Sequence, residues 1–285
     1  MRTVLLNNGV NMPLVGFGTY QIIDPEECER SVLTAIEAGY RLIDTAQNYG
    51  TERAVGAAVR ASGVPREELF ITSKVWFRNH ASGECRASVL RSLERLGMDY
   101  LDLMLIHWPF GDVYAAWRDL EALYDEGVLR AIGVSNFAPD RLIDLLNYNR
   151  VTPAVNQVET HLYCQQKEAH EWMGKYNVAH QAYAPLGQSR INDMFALPQV
   201  QAAAQAHGKT PAQVALRFLV QQGISVIPKS VHPQRIQENI DIFDFELTQQ
   251  EMAALATADN ASPMIGTATN PKRVESAKNW TSREL

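Results

Sequence analysis

Tyr40-Arg41-Leu42-Ile43-Asp44-Thr45-Ala46-Gln47-Asn48-Tyr49-Gly50 begins as a strand and ends as a loop. Gly39 stops the helix before it and Gly50-Thr51 opens the one after, so Arg41-Leu42-Ile43 reads as a short buried strand. Asp44 therefore sits at the strand's carboxyl end, with Tyr49 on the loop beyond. A carboxylate there is costly to bury unless a cation answers it. The next apolar run, Glu68 to Trp76, carries Lys74 near its end, and the one after, Tyr100 to Ile106, delivers His107-Trp108-Pro109. Three successive strands thus present Asp, Lys and His at their carboxyl ends. In a barrel of parallel strands, that end is where chemistry is done.

Outward from this stretch, strand and helix alternate. Thr3 to Leu6, a turn at Asn7-Asn8-Gly9, and Val10 to Pro13 read as a β-hairpin, too short for a wall and suited to plug one end. Val15-Gly16-Phe17-Gly18-Thr19 is the first wall strand, its glycines allowing close approach of a ligand or a neighbouring backbone. Asp24-Pro25-Glu26-Glu27 starts a helix with an N-cap, a first-turn proline and acids at the positive end of the dipole. Further helices are expected from Thr51 to Ser62, up to Gly97, up to Gly127, and from Pro139 to Asn147. Further strands end at Lys74 and Ile106, and run over Leu129 to Ser135, Ala154 to Val158, Val178 to Tyr183 and Ile224 to Pro228. Thr210-Pro211 opens another helix, and Thr248-Gln249-Gln250-Glu251 is a capping box for an extra C-terminal helix before a polar tail. Eight short strands alternating with helices argue for a parallel sheet, and the count argues that it closes into a (β/α)8 TIM barrel. No repeat or linker divides residues 1–285, which read as a single barrel domain.

At 285 residues the chain suits a barrel of this kind, which typically takes ~250. Apolar residues make up 46%, enough for a sizeable core, and the formal charge of −6 speaks against a general nucleic-acid binder. Cys28, Cys85 and Cys164 are widely spaced without a metal-type pairing, as expected of reduced thiols in a cytoplasmic protein that holds no metal. The start of the chain lacks a signal peptide's apolar run, and no segment approaches ~18 consecutive apolar residues, so neither export nor a membrane span is expected.

The chain resembles the aldo-keto reductases. The resemblance lies in Gly39 to Ala46 followed by Tyr49 and Glu52, in Lys74, and in Leu105-Ile106-His107-Trp108-Pro109. It continues through Ile132 to Phe137, Val155 to Glu159 and Ile227 to Val231, so it covers nearly the whole chain with the motifs in the family's order. The short link from Pro109 to Trp117 is most similar to the bacterial 2,5-diketo-D-gluconate reductase-like members. The resemblance implies a monomeric enzyme that reduces an aldehyde or ketone with NADPH.

Such a reduction needs a hydride on carbon and a proton on oxygen. No side chain supplies hydride, so a cofactor must. Tyr49 is a poor acid at its reference pKa of ~10. A neighbouring ammonium stabilises the phenolate, so Lys74, kept charged by Asp44, is expected to lower that value and to hold charge developing on oxygen. His107 would hydrogen-bond the carbonyl and direct it, as the resemblance implies. Tyr20, Trp76 and Trp108 follow strand ends and would wall the substrate pocket beside Tyr49 and His107, with Met264 and Ile265 on the tail as lids.

The later strands carry the cofactor half. Ser135, Asn136 and Gln157 offer hydroxyl and amide groups suited to a nicotinamide carboxamide, and Tyr183 would stack on its ring. By resemblance, Ala184-Pro185-Leu186-Gly187-Gln188 clasps the pyrophosphate, although Ala184 stands where serine is frequent. Lys229-Ser230-Val231-His232 leads into a helix whose Arg235, Glu238 and Asn239 grip the adenosine end in the family; His232 stands where threonine or arginine is usual. Gly18, Thr19 and Asp44 complete this set. No Gly-x-Gly-x-x-Gly run follows a strand, so the dinucleotide site is not of Rossmann type. Sugar-like, dicarbonyl and aromatic carbonyl compounds all suit such walls. Two other activities use the same residues. One is a Schiff-base aldolase in which Lys74 attacks the carbonyl, against which the pairing with Asp44 argues. The other is a catalytically silent, NADPH-binding regulatory protein.

Overall fold

A computed structural model describes residues 2–280. Two short strands, β1 (Thr3–Leu5) and β2 (Asn11–Pro13), form an antiparallel hairpin. Eight parallel strands follow in chain order: β3 (Phe17–Gly18), β4 (Leu42–Asp44), β5 (Phe70–Val75), β6 (Leu103–Ile106), β7 (Ile132–Ser135), β8 (Val155–Glu159), β9 (Ala179–Tyr183) and β10 (Ser225–Val226). Each pairs with its sequence neighbour. Val15 bridges Val226, with Gly16 N donating to Val226 O at 2.8 Å and Val226 N to Leu14 O at 2.9 Å, and this joins the first wall strand to the last. The architecture is the expected (β/α)8 barrel with a hairpin plug and an extra C-terminal helix.

The helices wrap the outside: α1 (Pro25–Glu37), α2 (Glu52–Ala61), α3 (Glu84–Leu96), α4 (Val113–Asp125), α5 (Pro139–Asn147), α6 (Lys167–Lys175), α7 (Ile191–Phe195), α8 (Pro198–His207), α9 (Pro211–Val220) and α10 (Pro233–Ile240). Two more, α11 (Gln249–Ala256) and α12 (Pro271–Ala277), belong to the tail. The caps read in the sequence hold, since Asp24 accepts from Glu26 N and Thr248/Glu251 is a closed capping box; Thr210, expected to open a helix, also closes a capping box with Gln213. Four helices were not anticipated. Helices α6, α7 and α8 start without a side-chain cap, and only α8 carries the punctuation of a first-turn proline, Pro198, and a left-handed glycine, Gly208, past its end. Helix α12 has one, since Asn270 Oδ1 accepts from Lys272 N beside Pro271, and it lies within what was expected only as a polar tail.

Side-chain alternation along the strands places the chemistry. In β4, Leu42 points into the barrel, Ile43 packs outward against the helices, and Asp44 points inward again. In β5, Phe70 is inward and low, while Lys74 is inward and high. The barrel floor is therefore apolar, made by Leu42, Phe70, Leu103, Leu105 and Val155 with Leu6 and Met12 of the hairpin beneath. Asn7 Nδ2 and Asn8 Nδ2 pin that hairpin to the carbonyls of Pro153 and Arg130 at 2.9 Å each. The opposite end is polar, and it is open.

One glycine fixes helix packing. A Cβ on Gly56 of α2 would collide with the backbone carbonyl of Leu96, at the end of α3. Backbone cannot rotate away as a side chain can. Gly56→Ala is expected to destabilise the fold by about 1–3 kcal/mol through overpacking, read as a lower urea midpoint at unchanged slope. An unmoved midpoint would mean that the two helices part freely there.

Candidate active site

The open end of the barrel holds a cleft of about 950 Å³. At its base Lys74 Nζ, fully buried, pairs with Asp44 Oδ1 and donates to Thr45 O at 2.9 Å. It also lies 3.4 Å from the Tyr49 hydroxyl. The second oxygen of Asp44 accepts from Gln157 Nε2 at 2.7 Å, and the same amide nitrogen donates to Gln181 Oε1 at 2.7 Å. Burial raises the pKa of Asp44 and lowers that of Lys74, and the attraction between them opposes both shifts. The pair is thus held by its partners rather than by water.

Tyr49 stands between rings, with Tyr20 at 5.0 Å and His107 at 5.6 Å between centroids. Burial first, and then the charge of Asp44, push its phenol well above the ordinary value. This is opposite to the direction expected from Lys74. A buried phenolate facing both a cation and an anion gains little, so in the ligand-free cleft Tyr49 keeps its proton. His107 is shifted well below its ordinary value, by burial and then by the Lys74 and His80 charges. It is a neutral imidazole with its Nδ1 buried and unpartnered among the described residues. Trp76 and Trp108 are buried beside it, with Trp76 at 5.5 Å from His107 between ring centroids, and Tyr20 is 45% exposed at the rim.

The cofactor candidates divide. Gly18, Asp44, Ser135, Asn136, Gln157, Tyr183, Ala184, Pro185, Leu186, Gln188 and Lys229 line the cleft. Thr19 lies beneath it, its hydroxyl on Asp44 O at 3.0 Å. Asn136, in the left-handed region at φ 64°, donates to His107 O at 3.0 Å and accepts from the Tyr183 hydroxyl at 2.7 Å. Ala184, Gly187 and Gln188 have φ of 50°, 74° and 39°, so the loop turns its backbone toward the cleft in the manner of an anion-binding nest. Ser230, Val231, His232, Arg235, Glu238 and Asn239 are not part of the cleft wall; they continue past Lys229 into α10, with Glu238 and Asn239 in its last turn. Arg235 is exposed there without an ion-pair partner among the described residues.

Several residues at the site were not singled out in the sequence. Gln181 anchors Gln157 from the next strand. Glu159, at the end of β8, accepts from Met264 N at 2.6 Å and Ile265 N at 3.0 Å, and so ties the tail over the cleft. Ile265 lines that cleft as expected, together with Arg273 and Trp280 from the tail. Trp280 stacks on Trp76 at 6.3 Å and meets Trp108 edge-on at 5.3 Å. A bulky aromatic in a polar tail was the available signal for Trp280, and a carboxylate at a strand's carboxyl end was the signal for Glu159.

A profile of the Aldo/keto reductase family matches residues 14–260. An "Aldo-keto reductase" of Mycobacterium sp. (strain MCS) is 46% identical over 91% of this chain and 92% of its own. A "Glyoxal reductase" of Bacillus subtilis (strain 168) is 48% identical over 88% and 90%. The crystal structure of an aldo-keto reductase from a Medee basin deep-sea metagenome library superposes with a TM-score of 0.92 at 39% identity, covering 94% of this chain and 99% of that one. With the profile spanning most of the barrel, and relatives alike in sequence and structure, this chain belongs to the aldo/keto reductase family.

Proposed function

We propose that the protein reduces an aldehyde or ketone to the alcohol with NADPH, with Tyr49 as the general acid. The observation that carries this reading is one contact chain at the base of the cleft: Asp44 paired to Lys74, and Lys74 Nζ 3.4 Å from the Tyr49 hydroxyl. When bound, the dinucleotide supplies the hydride. Everything else is work for this chain's residues. Tyr49 arrives protonated, as an acid must. As its proton leaves for the carbonyl oxygen, Lys74 already lies beside the forming phenolate, so its charge acts on the product of the transfer. Asp44 keeps Lys74 in place, and Gln157 keeps Asp44 in place. His107, neutral, has an N–H to offer the carbonyl oxygen and so to orient it. Trp76 and Trp108 exclude water from that point.

The residues fit a dinucleotide. Gly18 lines the cleft, and a Cβ there would come within 2.9 Å of Ile227 O, so glycine allows the close approach of the neighbouring backbone at the cleft edge. Tyr183, tied to Asn136, offers a fixed ring; the Gln157 nitrogen is already committed, which leaves its Oε1 for a carboxamide. The Leu186 N–H has no acceptor among the described residues, as a phosphate loop requires. Thr19, Ser135 and the loop from Ala184 to Gln188 would hold the nicotinamide and pyrophosphate. Lys229, Ser230, Val231, His232, Arg235, Glu238 and Asn239 would hold the adenosine end.

NADPH over NADH rests chiefly on Arg235. The two cofactors differ only at the 2′-phosphate, and a guanidinium can meet its oxygens in a bidentate pair. Arg235→Ala is expected to raise the KM for NADPH at least about tenfold, ~1.4 kcal/mol, leaving that for NADH nearly untouched. Equal losses with both cofactors would show that Arg235 serves the fold or the shared adenosine.

A panel of carbonyl compounds scored by loss of NADPH absorbance tests the activity. It should include glyoxal, which the Bacillus subtilis relative's name points to, with sugar-like and aromatic aldehydes. Turnover of none would overturn the reading. The short link from Pro109 to Trp117 supports a place beside the bacterial 2,5-diketo-D-gluconate reductase-like members. One barrel domain, monomeric and cytoplasmic, completes the proposal; the three cysteines, buried and unpaired, fit a reducing compartment.

A further inference from the structure

A cation that has no counter-ion among the described residues lines the cleft. Arg273, on α12, is half-buried, with its guanidinium 4.7 Å from the ring centroids of both Trp108 and Trp280. Its Nη1 donates to the neutral carbonyl of Ile265, and its Nε is buried without a partner. Among the described residues no carboxylate lies within ion-pair distance of it. The acid whose charge it feels is Glu159, but that carboxylate is taken up by the backbone N–H groups of Met264 and Ile265 and by His161 at 3.1 Å. Tyr20 and Tyr183, on other walls of the cleft, are close enough to act on the Arg273 charge.

Losing hydration without a counter-ion is costly for a cation. Burial accordingly holds the guanidinium below its ordinary range. The two indole faces offset part of that cost. A fork of N–H donors remains, of which one is used, beside the space that Tyr49 and His107 also face. Such a fork matches a carboxylate in two parallel hydrogen bonds. Among the described residues lining the cleft, Lys229 is the other cation, and it belongs to the proposed adenosine end.

We propose that Arg273 is the specificity residue for an anionic substrate: the carbonyl compounds reduced best carry a carboxylate, seated on Arg273 between the two indoles while the carbonyl lies at Tyr49 and His107. This rests on the carbonyl-reductase reading above. The plain competitor is that Arg273 only braces the tail through Ile265 and the tryptophans. The two separate by charge alone.

Para-carboxybenzaldehyde and methyl para-formylbenzoate share ring and carbonyl and differ in one charge, the ester being the more electrophilic aldehyde. The native protein should show a KM for the acid at least about tenfold below that for the ester, the scale of a hydrogen bond to a charged group. Arg273→Met keeps an apolar stem against the indoles. It should raise the KM for the acid about tenfold or more, while kcat and the ester's KM stay within about threefold. Equal changes for both substrates would leave Arg273 as a brace and overturn the proposal. A second measurement needs no variant: terephthalate should compete with the ester at least about tenfold more tightly than terephthalamide, and equal inhibition would overturn it too. Turnover of both aldehydes without charge preference would sink only the anion assignment. An absence of NADPH oxidation with every carbonyl compound tried would sink the reductase reading along with it.

Discussion

Tyr49→Phe is expected to bind NADPH as tightly as the native protein and to turn over about two to four orders of magnitude more slowly, the usual worth of a general acid. The ring stays between Tyr20 and His107, so packing hardly changes. Only the hydroxyl beside Lys74 goes. Cofactor affinity read by fluorescence titration, alongside the steady-state rate, separates the two effects. Residual activity within about threefold of the native rate would remove Tyr49 from the acid's role. His107 is no substitute donor at neutral pH, because burial and Lys74 hold it neutral and its one N–H is needed to orient the carbonyl.

Lys74→Met should be nearly inactive and clearly less stable, and the stability loss has a pH signature. In the native protein burial raises the pKa of Asp44, and Lys74 and Gln157 pull it back. Without the ammonium the folded-state value rises further above its unfolded value of 3.8. A carboxyl raised in this way favours the fold only while protonated, so its contribution fades as pH climbs from the unfolded value through the folded one. The deficit of Lys74→Met against the native protein should therefore be small in acid and grow toward neutrality, reaching about 3–5 kcal/mol, as for a broken buried pair. Denaturant midpoints across pH measure it. A deficit independent of pH would mean that Asp44 is satisfied without Lys74. Any surviving activity should also show its alkaline limb at higher pH, since the cation nearest the phenolate is gone.

The barrel was legible because each strand announces itself twice, by an apolar run and by the polar residue that ends it. Leu42-Ile43-Asp44 is the clearest case: period-two alternation sends Leu42 to the floor, Ile43 to the helices and Asp44 to the cleft, without reference to anything distant. The base of the site was legible for the same reason, since Asp44, Lys74 and His107 occupy the ends of neighbouring strands. Contacts made across the chain were not. Glu159 and Met264 are 105 residues apart, and nothing near either foretells the bond. Gln157 was read as a group for the cofactor, yet both N–H bonds of its amide go to Asp44 and Gln181, because a buried carboxylate demands every donor within reach. The direction of the Tyr49 shift was misjudged because local reasoning weighed Lys74 alone and omitted burial, the larger influence.

The most direct test of the account follows the hydrogen itself. The protein would be incubated with NADPH carrying deuterium at both positions of its hydride-bearing carbon and a small dicarbonyl, and the product examined by mass spectrometry. The account predicts an alcohol carrying one deuterium on the former carbonyl carbon, formed by the native protein and about two to four orders of magnitude more slowly by Tyr49→Phe at matched cofactor occupancy. An alcohol without the label, or a substrate adduct that borohydride traps on Lys74 in place of any alcohol, would contradict it.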